Sequence, residues 1–414
     1  MIRRRLALWP SGPKEAFSVR ETDQIAIPLS GWAWLGALGW MLVYADRAVF
    51  GPLLLPIGQH FSVGPAELGL LGGAFFLAYT VLQVPAGLVA DRLSPRALLA
   101  GSFLGFGAAV ALGGVVGSFI GLILLLFAAG AAQAVYFPAQ YAVTARGAQG
   151  QARDLTTAVT NGGMGVGVAL GFGVAAWPQA ASHWQALLAV AGLVTMLAAA
   201  LFWRAAPIRL AKPAHVGPRP IPWSRDLWLL CLVNFGSLFG FFFMLTWLPY
   251  DLETIGRLHG GSLALVSALS PLIAAPAGVM WVKLVKDSRL LAIRAFLPLA
   301  AASLLAVPLI GASGLVLLPL IVYGLFGKLS TDPLILGEAT RRLPVAALGA
   351  GLGVLNFSGM LASVVAPVAA GLLAQAGHLD WAFDLAALLL CLGLVASLRL
   401  RPASGQGVGV LGVN

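Results

Sequence analysis

Apolar runs of about 20 residues recur along this chain from Gly31 to Leu400. Each is long enough to cross a hydrocarbon core ~30 Å thick as a helix. Lipid cannot satisfy an open backbone N–H or C=O, so only helices and closed barrels span it. Runs this long, with no apolar–polar alternation, point to helices. The charge content agrees: 10% of the residues are charged and 59% are hydrophobic, with mean hydropathy +0.92. The surface of a soluble domain needs roughly a quarter of its residues charged. An all-α membrane protein is therefore expected. Its twelve spans fall near 31–57, 66–90, 96–117, 120–142, 155–177, 184–204, 226–249, 262–284, 291–311, 314–337, 345–375 and 381–400.

The net charge of +10 does not indicate a nucleic-acid partner, because the basic residues are sorted by side. With the N-terminus inside, Arg3, Arg4, Arg5, Lys14, Arg20, Arg92, Arg96, Arg146, Arg153, Arg204, Arg341 and Arg342 all fall in inner loops or tails. The outer loops carry Arg257, while Arg47 and Lys328 lie within spans. This is the positive-inside pattern. It predicts cytoplasmic termini and contact with anionic membrane lipid at the inner face of a bacterial-type inner membrane. The tail 1–30 lacks the apolar core and small-residue site of a cleaved signal and is expected to be a cytoplasmic leader, and 401–414 a second cytoplasmic tail.

Between two six-span halves, 31–204 and 226–400, the stretch 205–225 is rich in proline and basic residues and reads as a cytoplasmic linker. The halves repeat each other at one offset. Gln133 and Lys328 are separated by 195 (328 − 133), and so are Pro138 and Pro333, Arg146 and Arg341, Asn161 and Asn356, and His183 and His378. Parallel repeats of this kind put a substrate site near the bilayer midplane between the halves and suit alternating access.

No constellation for catalysis is visible. Cys231 and Cys391 both fall within spans, and the five histidines show no metal-ligand spacing. Phosphate-loop, zinc-protease and nucleophile-elbow motifs are missing, so neither a cofactor nor a metal is expected and the chain is not read as an enzyme. "GMGVGVALG" at 163–171 lies within a span, with no strand before it, and reads as small residues for close helix packing.

The informative residues are the buried charges. An ionised group at the bilayer centre costs about 2.5–3.5 kcal/mol on insertion scales and normally faces the bundle interior. Asp46 and Arg47 are adjacent, hence ~100° apart around the helix, and cannot share one direction. Tyr44 and Arg47 share a face, on which the guanidinium can grip a carboxylate through two hydrogen bonds and the phenol can donate a third. Asp46 is the candidate proton carrier, since the protonation of a carboxyl responds to burial and to nearby charge, including an anion arriving beside Arg47. The alternative is that both charges only lock the first span to its neighbours. Lys328 and Asp332 are four residues apart and can pair on the tenth span. Either they stiffen that helix, or Lys328 is a second cation facing the cavity opposite Gln133, with Asp332 a further proton site. Asn161 and Asn356 can bond a carboxylate or hydroxyl, or each other's helices. Phe235, Phe239, Phe243 and Trp247 form a row at spacings of four that reads as packing; facing a cavity, it would favour an apolar acid.

"GLVADRLSPR" at 87–96 resembles the loop signature of the major facilitator superfamily at Gly87, Asp91, Arg92 and Arg96, and departs from it at Ser94 and Pro95. "YADR" at 44–47, "FPA" at 137–139, "TWLPYDL" at 246–252 and Asn356 resemble the anion:cation symporter family within it. The resemblance implies two pseudo-symmetric six-helix bundles, a monomer, and a cytoplasmic gate at Asp91, Arg92 and Arg96. It implies a carrier of a small organic anion, with protons as the coupling partner. Gln133 stands where sugar-acid symporters of the family carry Glu, and Leu126 where they often carry Arg. Gln133 cannot titrate, which leaves anion exchange open. Drug or metabolite efflux is the other alternative, though the fifth span lacks the proline usual in such antiporters.

Overall fold

The computed structural model describes residues 28–90, 93–148, 150–175, 177, 179–208, 223–254, 258–285, 288–310, 314–343 and 348–401. Among these, fifteen α-helices make up twelve spans and no strand occurs. Nine spans are single helices: α3 (Pro65–Ala90), α4 (Pro95–Gly113), α7 (Gly150–Ala175), α8 (Trp184–Ala205), α9 (Arg225–Thr254), α10 (Gly260–Val285), α11 (Arg289–Ile310), α14 (Leu348–Gln375) and α15 (Asp380–Leu398). Three spans are interrupted: α1 (Leu29–Ala48) and α2 (Phe50–Phe61), α5 (Phe119–Gln133) and α6 (Tyr136–Gly147), α12 (Leu317–Phe326) and α13 (Lys328–Arg342). Lengths and composition make this a multi-pass membrane protein, and large side chains such as Leu124, Leu197, Leu265 and Leu309 face outward. Of the inner-side gate residues expected from the sequence, Asp91 and Arg92 lie outside the described residues, as does most of the linker.

The interruptions share a sequence feature. Arg47, Gln133 and Lys328 each stand five residues before a proline, namely Pro52, Pro138 and Pro333. Proline has no N–H for the carbonyl four residues back and its ring crowds that carbonyl. The affected carbonyls belong to Ala48, Ala134 and Leu329, each one residue past the polar side chain. At Val49 and Val135 the chain keeps near-helical angles. At Gly327 it swings to an extended conformation (φ −77°, ψ −170°). A Cβ at Gly327 would lie 2.4 Å from the Tyr323 carbonyl oxygen, so no larger residue fits. The carbonyls freed there find other donors: the Ser330 hydroxyl donates to the Gly324 carbonyl (2.5 Å) and Trp281 Nε1 to that of Leu325 (2.7 Å). Such repair is what permits irregular backbone at membrane depth.

The chain forms two compact units. Among the described residues, one comprises 28–47, Leu77–Gly167 and 183–208; the other comprises Ala48–Phe76, Val168–Ser182 and 223–401. Small residues set the helix contacts inside each. In the first unit, a Cβ on Gly107 would meet the Gly192 carbonyl oxygen at 2.6 Å, and one on Gly192 would meet that of Gly107 at 2.3 Å, so α4 and α8 touch backbone to backbone. A Cβ on Gly163 would lie 2.0 Å from the Ala37 carbonyl oxygen, and one on Gly167 2.3 Å from that of Met41. The glycine run of α7 is therefore the packing seam for α1, as its spacing predicts. In the second unit, Gly69 abuts the Pro367 carbonyl, Gly236 that of Leu389 and Gly51 that of Leu245.

Gly163→Ala and Gly167→Ala should each force α7 off α1 and lower thermal stability in detergent, by the ~1–3 kcal/mol typical of overpacking. Gly162→Ala is the control, since a Cβ there meets nothing within 4 Å. Equal melting temperatures for all three variants would contradict the seam.

Candidate anion-binding site

In the first unit the break after α1 carries Arg47 and the break after α5 carries Gln133. The Arg47 guanidinium donates to the Gln133 side-chain carbonyl. It also lies over two phenol rings, with its carbon 4.9 Å from the Tyr44 centroid and 5.1 Å from that of Tyr79. Cation–π contacts of this kind strengthen away from water. A guanidinium can only donate, so it fixes the orientation of the amide and turns Gln133 Nε2 the other way. That donor is buried and finds no acceptor among the described residues. Trp40 Nε1 is a second buried donor without one, on a ring 5.7 Å from Tyr44 and 5.0 Å from Tyr136. Buried polar atoms left unpaired are rare. Both of these are donors, one on the amide that holds Arg47 and one on a ring packed against Tyr44.

Asp46 faces elsewhere. Its carboxylate accepts a 2.7 Å hydrogen bond from the Thr195 hydroxyl on α8, and both residues are buried. The two adjacent charges thus diverge as helix geometry requires. Asn161, on α7, accepts from the Tyr141 hydroxyl of α6.

In the second unit Lys328 is the first residue of α13. Its ammonium pairs with Asp332, whose carboxylate is about half exposed, and donates to Asn234 Oδ1 at 3.4 Å. Asn234 is held in turn, its Nδ2 donating to the Leu355 carbonyl of α14 at 2.8 Å. A cation at a helix N-terminus sits against the positive end of the dipole, so Asp332 offsets an unfavourable placement and a second anion there would be favoured. Asn356 is half-buried on α14. Arg96, the described member of the expected gate, donates to the Ala206 carbonyl at 3.1 Å.

The structure brings Tyr44, Arg47 and Gln133 together and, separately, Lys328 and Asp332. Sequence reasoning missed Tyr79, Thr195, Asn234 and Trp40. Thr195 and Asn234 had a usable signal, each being the polar residue in an apolar stretch ("GLVTML", "LLCLVNFG"). The row Phe235, Phe239, Phe243 and Trp247 packs as expected: Phe243 meets Phe383 edge-on at 4.7 Å and Trp247 Nε1 donates to the Pro367 carbonyl at 3.0 Å. A clear apolar cavity in the second unit instead involves the neighbouring face of α9, at Phe241, Met244, Leu245 and Leu248.

Gln133→Leu removes the amide that holds Arg47 and should weaken organic-anion binding about ten- to hundredfold, since a hydrogen bond to a charged group contributes ~1.5–3 kcal/mol. Gln133→Glu should weaken it as well, by pairing with Arg47 in place of the ligand. Calorimetric titration of the purified variants checks both; wild-type affinity in either would contradict the arrangement.

Among relatives, the chain is 25% identical over 396 residues to a protein described as a probable sulfoacetate transporter of Cupriavidus necator, covering 88% of this chain and 92% of that one. It is 24% identical over 377 residues to the D-galactonate transporter of Escherichia coli, covering 81% and 86%. The fold matches the crystal structure of a bacterial homolog to the human lysosomal transporter Spinster with a TM-score of 0.70 at 16% identity, over 91% of this chain and 99% of that one. The sequence profile of the Major Facilitator Superfamily matches residues 36–367. The chain therefore belongs to the major facilitator superfamily of membrane transporters.

Proposed function

We propose that this protein is a secondary carrier of a small organic anion, working by alternating access and coupled to protons through Asp46. The observation that carries the reading is the donor set around Arg47. A guanidinium braced by Gln133 and two phenols, with the Gln133 and Trp40 N–H groups finding no acceptor among the described residues, is complementary to a carboxylate or sulfonate. The names of the two full-length relatives support it, since sulfoacetate and D-galactonate are both organic anions. Lys328, with Asn234 and Asp332, serves as the second cationic group, and Asn161 and Asn356 as polar contacts. Asp91, Arg92 and Arg96 serve as the cytoplasmic gate. The proposed setting is a bacterial-type inner membrane, with both termini cytoplasmic and the carrier acting as a monomer.

Asp46 suits proton coupling because it is buried, bonded to one hydroxyl, and one residue from the anion anchor. A proton on Asp46 and an anion on Arg47 each change the field felt by the other, which couples the two occupancies. The second reading is anion exchange without protons. Gln133 favours it, because an amide stands between the two interrupted spans where a titrating acid would offer another proton site.

Reconstituted vesicles separate the two. Wild-type protein should accumulate labelled organic acid against its gradient when an inward proton gradient is imposed. One proton carried through Asp46 with a monovalent anion is electroneutral, so each unit of imposed pH difference supplies ~1.4 kcal/mol and supports about tenfold accumulation. Asp46→Asn should lose accumulation and keep exchange of labelled for unlabelled acid. Wild-type vesicles indifferent to the proton gradient would establish the exchanger, and vesicles that move no organic acid would overturn the carrier reading.

A further inference from the structure

Asp46 and Thr195 both belong to the first unit and are closed off from solvent, being 4% and 0% exposed. The Thr195 hydroxyl donates to Asp46 Oδ2 at 2.7 Å, and among the described residues it is the one hydrogen-bond donor to that carboxylate. Charged neighbours do not take its place. Arg47 is turned ~100° away around α1 and is engaged by Gln133. On the other helices of the first unit the charged residues are Arg96 of α4, Arg146 of α6, Arg153 and Asp154 of α7 and Arg204 of α8. Each stands in the first or last five residues of its helix. The phenols are committed elsewhere: Tyr44 and Tyr79 lie against Arg47, Tyr136 donates to the Gly36 carbonyl and Tyr141 to Asn161.

The backbone that carries Thr195 is fixed. A Cβ on Gly107 of α4 would meet the Gly192 carbonyl oxygen at 2.6 Å and the Met196 nitrogen at 2.8 Å, so α4 lies directly against α8 on both sides of Thr195 in the chain. The hydroxyl keeps one freedom, rotation of its O–H. A threonine within a helix can donate to the carbonyl four residues back, here that of Ala191. A hydroxyl has one proton to give and two lone pairs. It can therefore donate to a carboxylate, or donate backward along the helix and accept from a carboxylic acid. Asp46 then has a partner in either protonation state, as a buried polar group requires.

We infer that Thr195 is the positioning residue of the proton site: its hydroxyl holds Asp46 as a carboxylate by donating to it, and turns to the Ala191 carbonyl and accepts when Asp46 takes up a proton. The inference rests on the proton-coupled reading above and deepens it by naming the group that lets a buried carboxyl release its proton. The proton adds to an Asp46 oxygen and leaves from it; the hydroxyl keeps its own proton throughout. Without that donor the ionised carboxylate would stand unpaired in an apolar surrounding, so Asp46 would stay a neutral acid and could not cycle.

Infrared difference spectroscopy of purified full-length protein tests this without a substrate. The carboxylic-acid C=O band of Asp46 is identified by its loss in Asp46→Asn and followed against pH. Thr195→Val keeps the side-chain shape and removes the hydroxyl. Asp46 in that variant should keep its proton to at least one pH unit above wild type, because a hydrogen bond to the charged form has been lost. Its band should also move to higher wavenumber, as for an acid with no hydrogen-bond partner. Thr195→Ser should restore both properties, which a merely structural role for the side chain would not require. Thr195→Ala serves the same comparison if the valine variant does not fold. Titration at the wild-type pH, or an unshifted band, overturns the inference while leaving coupling through Asp46 intact. An Asp46 that does not titrate in the folded wild-type protein overturns both.

Discussion

A guanidinium inside an apolar bundle must be held by the bundle itself, because lipid offers it nothing. Arg47 meets this requirement through Gln133 and the faces of Tyr44 and Tyr79. The contact joins the first and fourth spans at the points where proline interrupts both. The third interruption carries Lys328, solved by a different pairing with Asp332 and Asn234. Each interruption has a proline five residues beyond its polar side chain. The helix is thus loosened where a polar group needs room and where, in a carrier, a ligand would need backbone and side-chain partners.

Close packing elsewhere compensates for this looseness. Association of helices in lipid gains little from the hydrophobic effect and depends on contact area and hydrogen bonds. The glycines of α7 against α1 and the facing Gly107 and Gly192 of α4 and α8 bring backbones into direct contact. The same α7 seam fixes α1, and therefore the position of Arg47. Asp46, about 100° around α1 from Arg47, is tied to α8 through Thr195. Adjacent residues on one helix are in this way anchored to different neighbours; under the proposed coupling, a proton on one and an anion on the other would have separate mechanical connections.

The apolar runs made the spans legible, and the observed helices follow them within a few residues, with α9 reaching Thr254 where the run suggested 249. The glycine seam of α7 was legible from spacing. The pairing of Lys328 with Asp332 was legible from their separation of four, and the divergence of Asp46 and Arg47 from helix geometry. The interruptions were not read, although Pro52, Pro138 and Pro333 mark them, because a proline inside an apolar run does not reveal whether the helix bends or breaks. The Arg47–Gln133 contact joins residues 86 apart in the chain, so no local pattern reports it. Tyr79 was hidden for the same reason. Nothing in the sequence distinguishes the face of α9 that lines the cavity from the aromatic row beside it, since both are apolar.

The central claim is that Arg47 anchors an organic anion through the geometry of its guanidinium and not through charge alone. The direct measurement is the affinity of purified Arg47→Lys and Arg47→Ala for an organic acid that the wild-type protein binds. Lysine keeps the charge and loses the planar fork, so it cannot make the same paired contact with a carboxylate while keeping Gln133 engaged. The account predicts loss of at least tenfold in affinity for lysine and undetectable binding for alanine, with both variants folded. Wild-type affinity in either variant would contradict it.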